Sequence, residues 1–137
     1  MSIEPGLIHE INIVVAPEHT AAAVSEGTEI GRLAPVLSTP FLVSLMETTA
    51  HGAVKPFLTD EQSGVGAMVN IRHLAATPVG MQVRIRAELL EVEGRRLLFK
   101  VEAWDEVEKI AEGEHERYII NWDRFMIGVE NKKKLIN

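Results

Sequence analysis

Residues 38–56, STPFLVSLMETTAHGAVKP, decide the fold of this chain. Thr39 precedes Pro40, the order of cap and proline that is typical of a helix start. The stretch 41–54 is too long and unbroken for a typical strand. Gly52 and Pro56 mark the end of the pattern. We therefore predict one helix over 41–54 with Thr39 as its cap.

This helix is apolar over most of its circumference. At about 100° per residue its apolar side chains fill one broad arc. The arc comprises Phe41, Leu42, Val43, Leu45, Met46, Ala50, Ala53 and Val54. Ser44, Thr48 and His51 fill the remaining arc, and Glu47 lies on the border between the two. A helix with so wide an apolar arc needs a sheet curved around it.

The rest of the chain alternates apolar and polar residues with the period of β-strands. We predict strands over 8–15, 65–74, 81–93, 97–103 and 110–122, with a hairpin turn at 93–95 and a second turn near 105–106. One strand, one buried helix and four strands in a meander give an α+β layout. The sequence thus predicts one domain over 1–137 with the hot-dog fold, in which a long central helix is wrapped by a curved five-stranded antiparallel sheet.

Two of these strands carry polar residues on a defined face. In 65–74 the alternation places Val65, Ala67, Val69, Ile71 and His73 on one face. In 110–122, three glutamates lie opposite a face that includes His115 and Arg117. His73 is therefore expected among apolar neighbours, where a histidine is either a hydrogen-bonded core residue or part of a site.

Composition and charge exclude several classes of function. The chain has no cysteine, which excludes a disulfide scaffold, a thiolate zinc site and a cysteine nucleophile. Its net charge of −6 disfavours nucleic-acid binding, which relies on Lys and Arg. No apolar run approaches the roughly 20 residues of a membrane span, and the first ten residues lack the pattern of a signal peptide. We expect a cytoplasmic protein whose basic stretch, 132–134, is a solvated tail.

Three residues carry the chemistry of acyl transfer. Thr39, Glu47 and His73 supply a hydroxyl, a carboxylate and an imidazole, which together can activate a nucleophile and move a proton. The first free N–H groups of the helix, from Phe41 or Leu42, could hold a developing oxyanion.

Each of these residues also has a structural interpretation. Thr39 suits a simple cap, and Glu47 could be solvated or pair with His51 one turn on. His73 suits a core histidine. Glu47, His51 and His73 together have the chemistry of metal ligands, although we predict no metal site.

Four motifs carry a resemblance to a known family: 38–47 (STPFLVSLME), 66–78 (GAMVNIRHLAATP), 92–96 (VEGRR) and 113–117 (GEHER). Over about residues 6–126 the chain resembles the fluoroacetyl-CoA-specific thioesterase group of the hot-dog superfamily. The resemblance implies catalytic roles for Thr39, Glu47 and His73, and an acyl pocket bordered by the backbone of Gly66. It further implies a homodimer or a higher oligomer that hydrolyses an acyl-CoA thioester without a cofactor, CoA being part of the substrate.

The substrate is less defined than the reaction. Besides Gly66, we expect Leu33 and Phe41 to contact substrate and Arg95, in the hairpin turn, to bind a CoA phosphate. Family members carry aromatic residues ahead of the helix, whereas 30–37 reads IGRLAPVL, so the acyl group is left open. A non-catalytic acyl-CoA binding module is the alternative function. A dehydratase on the same fold would need a differently placed Asp and His pair.

Overall fold

Five antiparallel strands curve around one sixteen-residue helix in the computed structural model, which describes residues 2–136. The strands are β1 (Ile8–Val14), β2 (Gln62–His73), β3 (Gln82–Glu93), β4 (Arg96–Asp105) and β5 (Lys109–Asn121). The helices are α1 (Ala21–Ser25), α2 (Thr39–Val54) and α3 (Trp122–Lys133), with short 3₁₀ turns at Pro17–His19, Lys55–Phe57 and Lys134–Ile136. The predicted α+β architecture, the central helix and the five strands are confirmed.

The order of the strands differs from a simple meander. The sheet runs β1-β3-β4-β5-β2, so β2 crosses over to pair with β5 instead of forming a hairpin with β3. The prediction of four strands in meander was therefore wrong for β2. As a result the twelve-residue β2 is an edge strand of the sheet. An edge strand can pair with a strand of a second chain.

The core lies between α2 and the concave face of the sheet. Leu42, Met46 and Ala50, at most 1% exposed, pack with the inward side chains of β3 and β4, such as Ile85 and Phe99. The buried residues of α2 belong to its predicted apolar arc, and those of β3 and β4 belong to the predicted alternating apolar positions. Burial of each large side chain contributes about 1.5–3 kcal/mol, which fixes the helix against the sheet. The positions of polar residues on α2 follow from that packing.

The start of α2 differs by one residue from the prediction. Ser38, not Thr39, is the cap, because its side chain accepts a hydrogen bond of 3.1 Å from the Phe41 N–H. Thr39 is the first helical residue, so its hydroxyl is not used in capping. The helix also continues past Gly52, where a Cβ atom would lie 2.6 Å from the ring of His9. Gly52 thus marks a close approach of β1 to the helix rather than the helix end.

A bulge between Gly66 and Met68 changes which residues of β2 face the helix. Gly66 lies opposite Arg117, and Val69 lies opposite His115. Directly opposed residues share a face of the sheet. Gly64 and Gly66 therefore face inward before the bulge, and Val69, Ile71 and His73 face inward after it. The predicted common face was wrong at Val65 and Ala67, because a period of two cannot cross an inserted residue.

Residues 122–136 are helical, which the sequence analysis missed. Asn121 caps α3 through a hydrogen bond from the Arg124 N–H, and the basic residues 132–134 belong to α3 and its final 3₁₀ turn. Over residues 2–136, none of the helices combines the length and the apolar character needed to cross a membrane.

Candidate active site

Thr39 and His73 are brought together at the start of α2. The Thr39 Oγ1 lies 2.8 Å from the His73 Nδ1, and both line a pocket of about 390 Å³ with residues 74–76 of the following loop. The other ring nitrogen of His73, Nε2, is buried and has no hydrogen-bond partner within residues 2–136. Burial lowers the pKa of His73. We call this the Thr39 pocket.

Glu47 lies in a separate pocket two turns further along the helix. The Arg117 Nη1 lies 3.3 Å from its Oε1. Ser44, Thr48 and His51 complete the lining of this second pocket of about 380 Å³. The Glu47 side chain is 38% exposed, whereas that of Arg117 is 9% exposed, so the carboxylate faces the pocket and the cation lies behind it. We call this the Glu47 pocket.

The buried residue His115 contacts the guanidinium of Arg117. The His115 Nδ1 lies 2.8 Å from the Met68 carbonyl oxygen, and its Nε2 lies 3.3 Å from the Arg117 Nη1. The carbonyl can only accept and the guanidinium can only donate, so Nδ1 carries the proton and Nε2 accepts. Burial, and then Arg117, lower the pKa of His115, which keeps it neutral. His115 therefore orients the arginine that contacts Glu47.

Gly66 faces Glu47 directly across the pocket wall. A Cβ atom at this position would collide with the Glu47 Oε1 and lie 3.4 Å from the His115 ring. The backbone of β2 can approach the carboxylate only because residue 66 has no side chain. That Gly66 borders the acyl pocket stays a prediction.

Gly66→Ala is expected to displace the Glu47 carboxylate and to lower kcat/KM for thioester hydrolysis by about tenfold to a hundredfold. The matched control is Gly128→Ala on α3, where a Cβ atom would meet nothing within 4 Å. Steady-state kinetics of both variants test this prediction. Equal kinetics for Gly66→Ala and the control would show that the carboxylate position is unimportant.

The predicted oxyanion donors are occupied. The Phe41 N–H donates to the Ser38 Oγ, and the Leu42 N–H donates to the Ser38 carbonyl at 3.0 Å. That prediction was wrong, because Ser38 caps the helix and its own backbone closes the first turn.

The remaining predicted substrate contacts lie at the margin of the Thr39 pocket or away from it. The Phe41 ring stacks on His19 with centroids 4.0 Å apart. Leu33 is half-buried in the loop before α2, and Arg95 is exposed in the turn between β3 and β4. Their roles stay predictions.

Arg117 and His115 are residues of the site to which the sequence analysis assigned no role. Arg117 is buried and hydrogen-bonded to Glu47. Glu47 in turn pairs with Arg117 and not with His51. The alternation of β5 already placed both side chains on one face, but only the crossover of β2 brings that face to α2.

Ligand chemistry for a metal does not converge. Across residues 2–136 there is no group of three or more His, Cys, Asp and Glu side chains positioned to hold an ion. His73 lies in the Thr39 pocket, and Glu47 and His51 lie in the other.

Comparison with known proteins agrees with this architecture. The sequence profile of the family described as fluoroacetyl-CoA-specific thioesterase matches residues 15–123. The fluoroacetyl-CoA thioesterase of Streptantibioticus cattleyicolor is 38% identical over 122 residues, 88% of each chain. A solved structure of the fluoroacetyl-CoA thioesterase FlK superposes with a TM-score of 0.90 at 35% identity, covering 96% of this chain and 98% of that one. A hot-dog-like protein from Thermanaerovibrio acidaminovorans, 22% identical, gives a TM-score of 0.81 over 93% of this chain and 91% of its own.

The fold and these similarities define an acyl-CoA thioesterase of the hot-dog class, which is a thioester hydrolase. The chain belongs to the fluoroacetyl-CoA-specific thioesterase family. The predicted fold, family and reaction class are confirmed, and the comparisons favour the enzyme over the non-catalytic binding module.

Proposed function

We propose that the protein hydrolyses small acyl-CoA thioesters in a homodimer, at sites that combine Thr39 and His73 of one copy with Glu47 of the other. The observation that carries the proposal is the hydrogen bond between Thr39 and His73 beside a pocket that both residues line, which leaves the buried Nε2 of His73 unpartnered within residues 2–136. A carboxylate must join this pair for hydrolysis, and Glu47 is the carboxylate the family resemblance suggests.

The spacing along α2 favours a contribution from two copies. Thr39 and Glu47 are eight residues apart, which is about 12 Å along the helix axis. They line two different pockets, and Glu47 is bonded to Arg117 on its own side. A second copy related by twofold symmetry would place each half of the site against the complementary half.

The edge strand β2 supplies a surface for this assembly. Its outer side presents unpaired backbone groups over twelve residues, a template for pairing with another chain. Antiparallel pairing of β2 with its own copy, centred on Asn70, opposes Val69 to Ile71 of the second copy. Because Ala67 is the extra residue of the bulge, it has no partner, and Gly66 lies opposite His73 of the second copy. This register places the Glu47 side of one copy against the Thr39 pocket of the other.

The chemistry follows from the groups in such a site. Glu47 either attacks the thioester carbonyl carbon or removes a proton from a water that does so, and the sulfur leaves as the C–S bond breaks. His73 takes up a proton of the water at Nε2 and returns it to the departing CoA sulfur, so that the ring begins and ends neutral, while the Thr39 hydroxyl bonded to Nδ1 fixes the ring. Arg117 holds the carboxylate in place. In the nucleophilic route, water then hydrolyses the Glu47 anhydride and restores the carboxylate.

The substrate contacts are proposed more broadly. Phe41, packed at the start of α2, and Leu33, in the preceding loop, would border the acyl group. Arg95 would bind a CoA phosphate, because its cationic side chain is exposed in the turn between β3 and β4. Hydrolysis needs CoA only as part of the substrate, and a cytoplasmic location stays a prediction.

The dimer register is testable by crosslinking, because the chain contains no cysteine. Asn70→Cys places one thiol beside its symmetry mate at the proposed axis, where the Cα separation of an antiparallel pair suits a disulfide. We expect mild oxidation to give a covalent dimer on a non-reducing gel. The matched control is Glu114→Cys. Glu114 lies opposite Asn70 on the neighbouring strand β5, so the two copies of residue 114 would be three strand spacings, about 14 Å, apart. Crosslinking of both variants alike, or of neither, would contradict this register.

A further inference from the structure

Thr77 is a buried polar residue that directly follows the loop lining the Thr39 pocket. Its side chain is buried, and its hydroxyl donates a hydrogen bond of 2.9 Å to the Asp105 Oδ2. Residues 74–76 line the pocket, whereas Thr77 does not. A buried hydroxyl needs such a partner, because its desolvation is otherwise uncompensated. The bond therefore links the pocket loop to the turn between β4 and β5.

The main chain of Thr77 joins the two segments that carry the catalytic pair. Its carbonyl oxygen accepts a hydrogen bond of 2.9 Å from the Leu37 N–H, two residues before Thr39. On the other side, His73 lies four residues before Thr77 in the chain. Thr77 thus holds the segment that leads to the Thr39 hydroxyl against the segment that follows the His73 ring.

The loop between His73 and Thr77 has few other attachments. The Leu74 N–H donates to the Ile110 carbonyl oxygen at 2.7 Å, directly after the end of β2. Within residues 2–136, neither residue 75 nor residue 76 forms a hydrogen bond between main-chain groups. The position of the loop therefore depends on its two ends, and Thr77 fixes the second of them.

Asp105 is itself fixed by the turn to which it belongs. Its Oδ1 accepts from the Val107 and Glu108 N–H groups at 2.8 and 2.9 Å, which leaves Oδ2 for Thr77. Burial acts to raise the pKa of Asp105, but these hydrogen bonds outweigh it and lower the pKa, so the carboxylate is charged at pH 7. A hydrogen bond to a charged acceptor is stronger than one between neutral groups.

These contacts connect the turn to the catalytic pair. The Thr39 Oγ1 and the His73 Nδ1 are 2.8 Å apart, and a shift of about 1 Å in either segment would break their hydrogen bond. Building on the proposed function, we propose that the hydrogen bond from Thr77 to Asp105 holds these two groups at that separation. Thr77 is a positioning residue for thioester hydrolysis, which acts through the Thr39–His73 pair and not on the substrate.

Thr77→Val removes the hydroxyl and nearly keeps the shape of the side chain. We expect it to lower kcat for acetyl-CoA hydrolysis by about tenfold with little change in KM, because the pair is displaced while substrate binding is unaffected. Thr77→Ser keeps the hydroxyl and is expected to retain most of the activity. Should valine beside the carboxylate prevent folding, Asp105→Asn weakens the same hydrogen bond, and a loss of about threefold in kcat is expected.

A double-variant cycle separates positioning from a general loss of structure. In Thr39→Ala the pair is already broken, so adding Thr77→Val is expected to lower kcat by less than about twofold. Thr49→Val is the matched control. Thr49 is equally buried and donates to the Leu45 carbonyl within α2, outside both pockets, so kcat should stay near that of the wild type. Thermal unfolding of each variant checks that the fold is intact.

The possible failures are distinct. Wild-type kcat in Thr77→Val would overturn the role of Thr77, and so would a loss by the same factor in both backgrounds or an equal loss in Thr77→Ser. Wild-type turnover in Thr39→Ala would instead count against the proposed catalytic pair itself, and the role of Thr77 would then be wrong as well.

Discussion

Glu47→Gln is expected to lower kcat/KM for acyl-CoA hydrolysis by about a thousandfold or more, because the amide keeps the shape of the side chain but is neither a nucleophile nor a base. Arg117 loses its charged partner in this variant. Since Glu47 is 38% exposed, we expect a cost of only about 1 kcal/mol in the free energy of unfolding. Steady-state kinetics together with urea unfolding separate the two effects.

The matched control for this variant is Glu114→Gln. Glu114 is an exposed glutamate of β5 that faces away from α2, and its substitution is expected to leave turnover unchanged. A Glu47→Gln enzyme that retained wild-type turnover would remove Glu47 from the catalytic site, whatever the control did.

His73→Ala is expected to lower kcat for the same reaction by about a hundredfold to ten-thousandfold, the usual range for loss of a proton-transfer group. Burial lowers the pKa of His73 below 6.5, so the ring is neutral at pH 7. In the wild type, the rate that depends on neutral His73 should be flat near neutral pH and should fall only as the pH drops through that lowered pKa. The pH profile of the variant should lack this acid limb.

Substitutions of Thr39 test whether its hydroxyl orients the His73 ring. Thr39→Ser keeps the hydroxyl that bonds the His73 Nδ1 at 2.8 Å, whereas Thr39→Ala removes it. We expect the serine variant to retain most activity and the alanine variant to lose about tenfold to a hundredfold, mainly in kcat. Equal activity of the two variants would mean that the hydroxyl does not orient the ring.

Much of the fold was predictable because its signals are local. The apolar arc of α2 and the alternation in β3 and β4 depend on residues a few positions apart, and they were read correctly. The start of α2 was misplaced by one residue because Ser38 and Thr39 are both good caps, and only the backbone conformation decides between them. α3 was missed because the predicted strand 110–122 ended where the helix begins, and the basic residues 132–134 were expected to be a solvated tail.

The site was predictable in part, because four of its residues follow from the family resemblance and not from local patterns. The resemblance supplied Thr39, Glu47, Gly66 and His73, and the structure brings Thr39 to His73 and Gly66 to Glu47. The contact between Glu47 and Arg117 depends on the crossover that pairs β2 with β5. No local pattern records strand order or a bulge, so that contact, and the role of His115 behind it, required three-dimensional information.

A complementation experiment tests the central claim, that each site is shared between two copies. Glu47→Gln and His73→Ala chains, each inactive alone, are unfolded together and refolded as a mixture. In a shared site, a mixed dimer contains one intact site, because the intact Glu47 and the intact His73 come from different chains. Random mixing then predicts recovery of about a quarter of wild-type activity. If the mixture stayed as inactive as its components while mixed dimers had formed, each site would lie within one copy and the account would be contradicted.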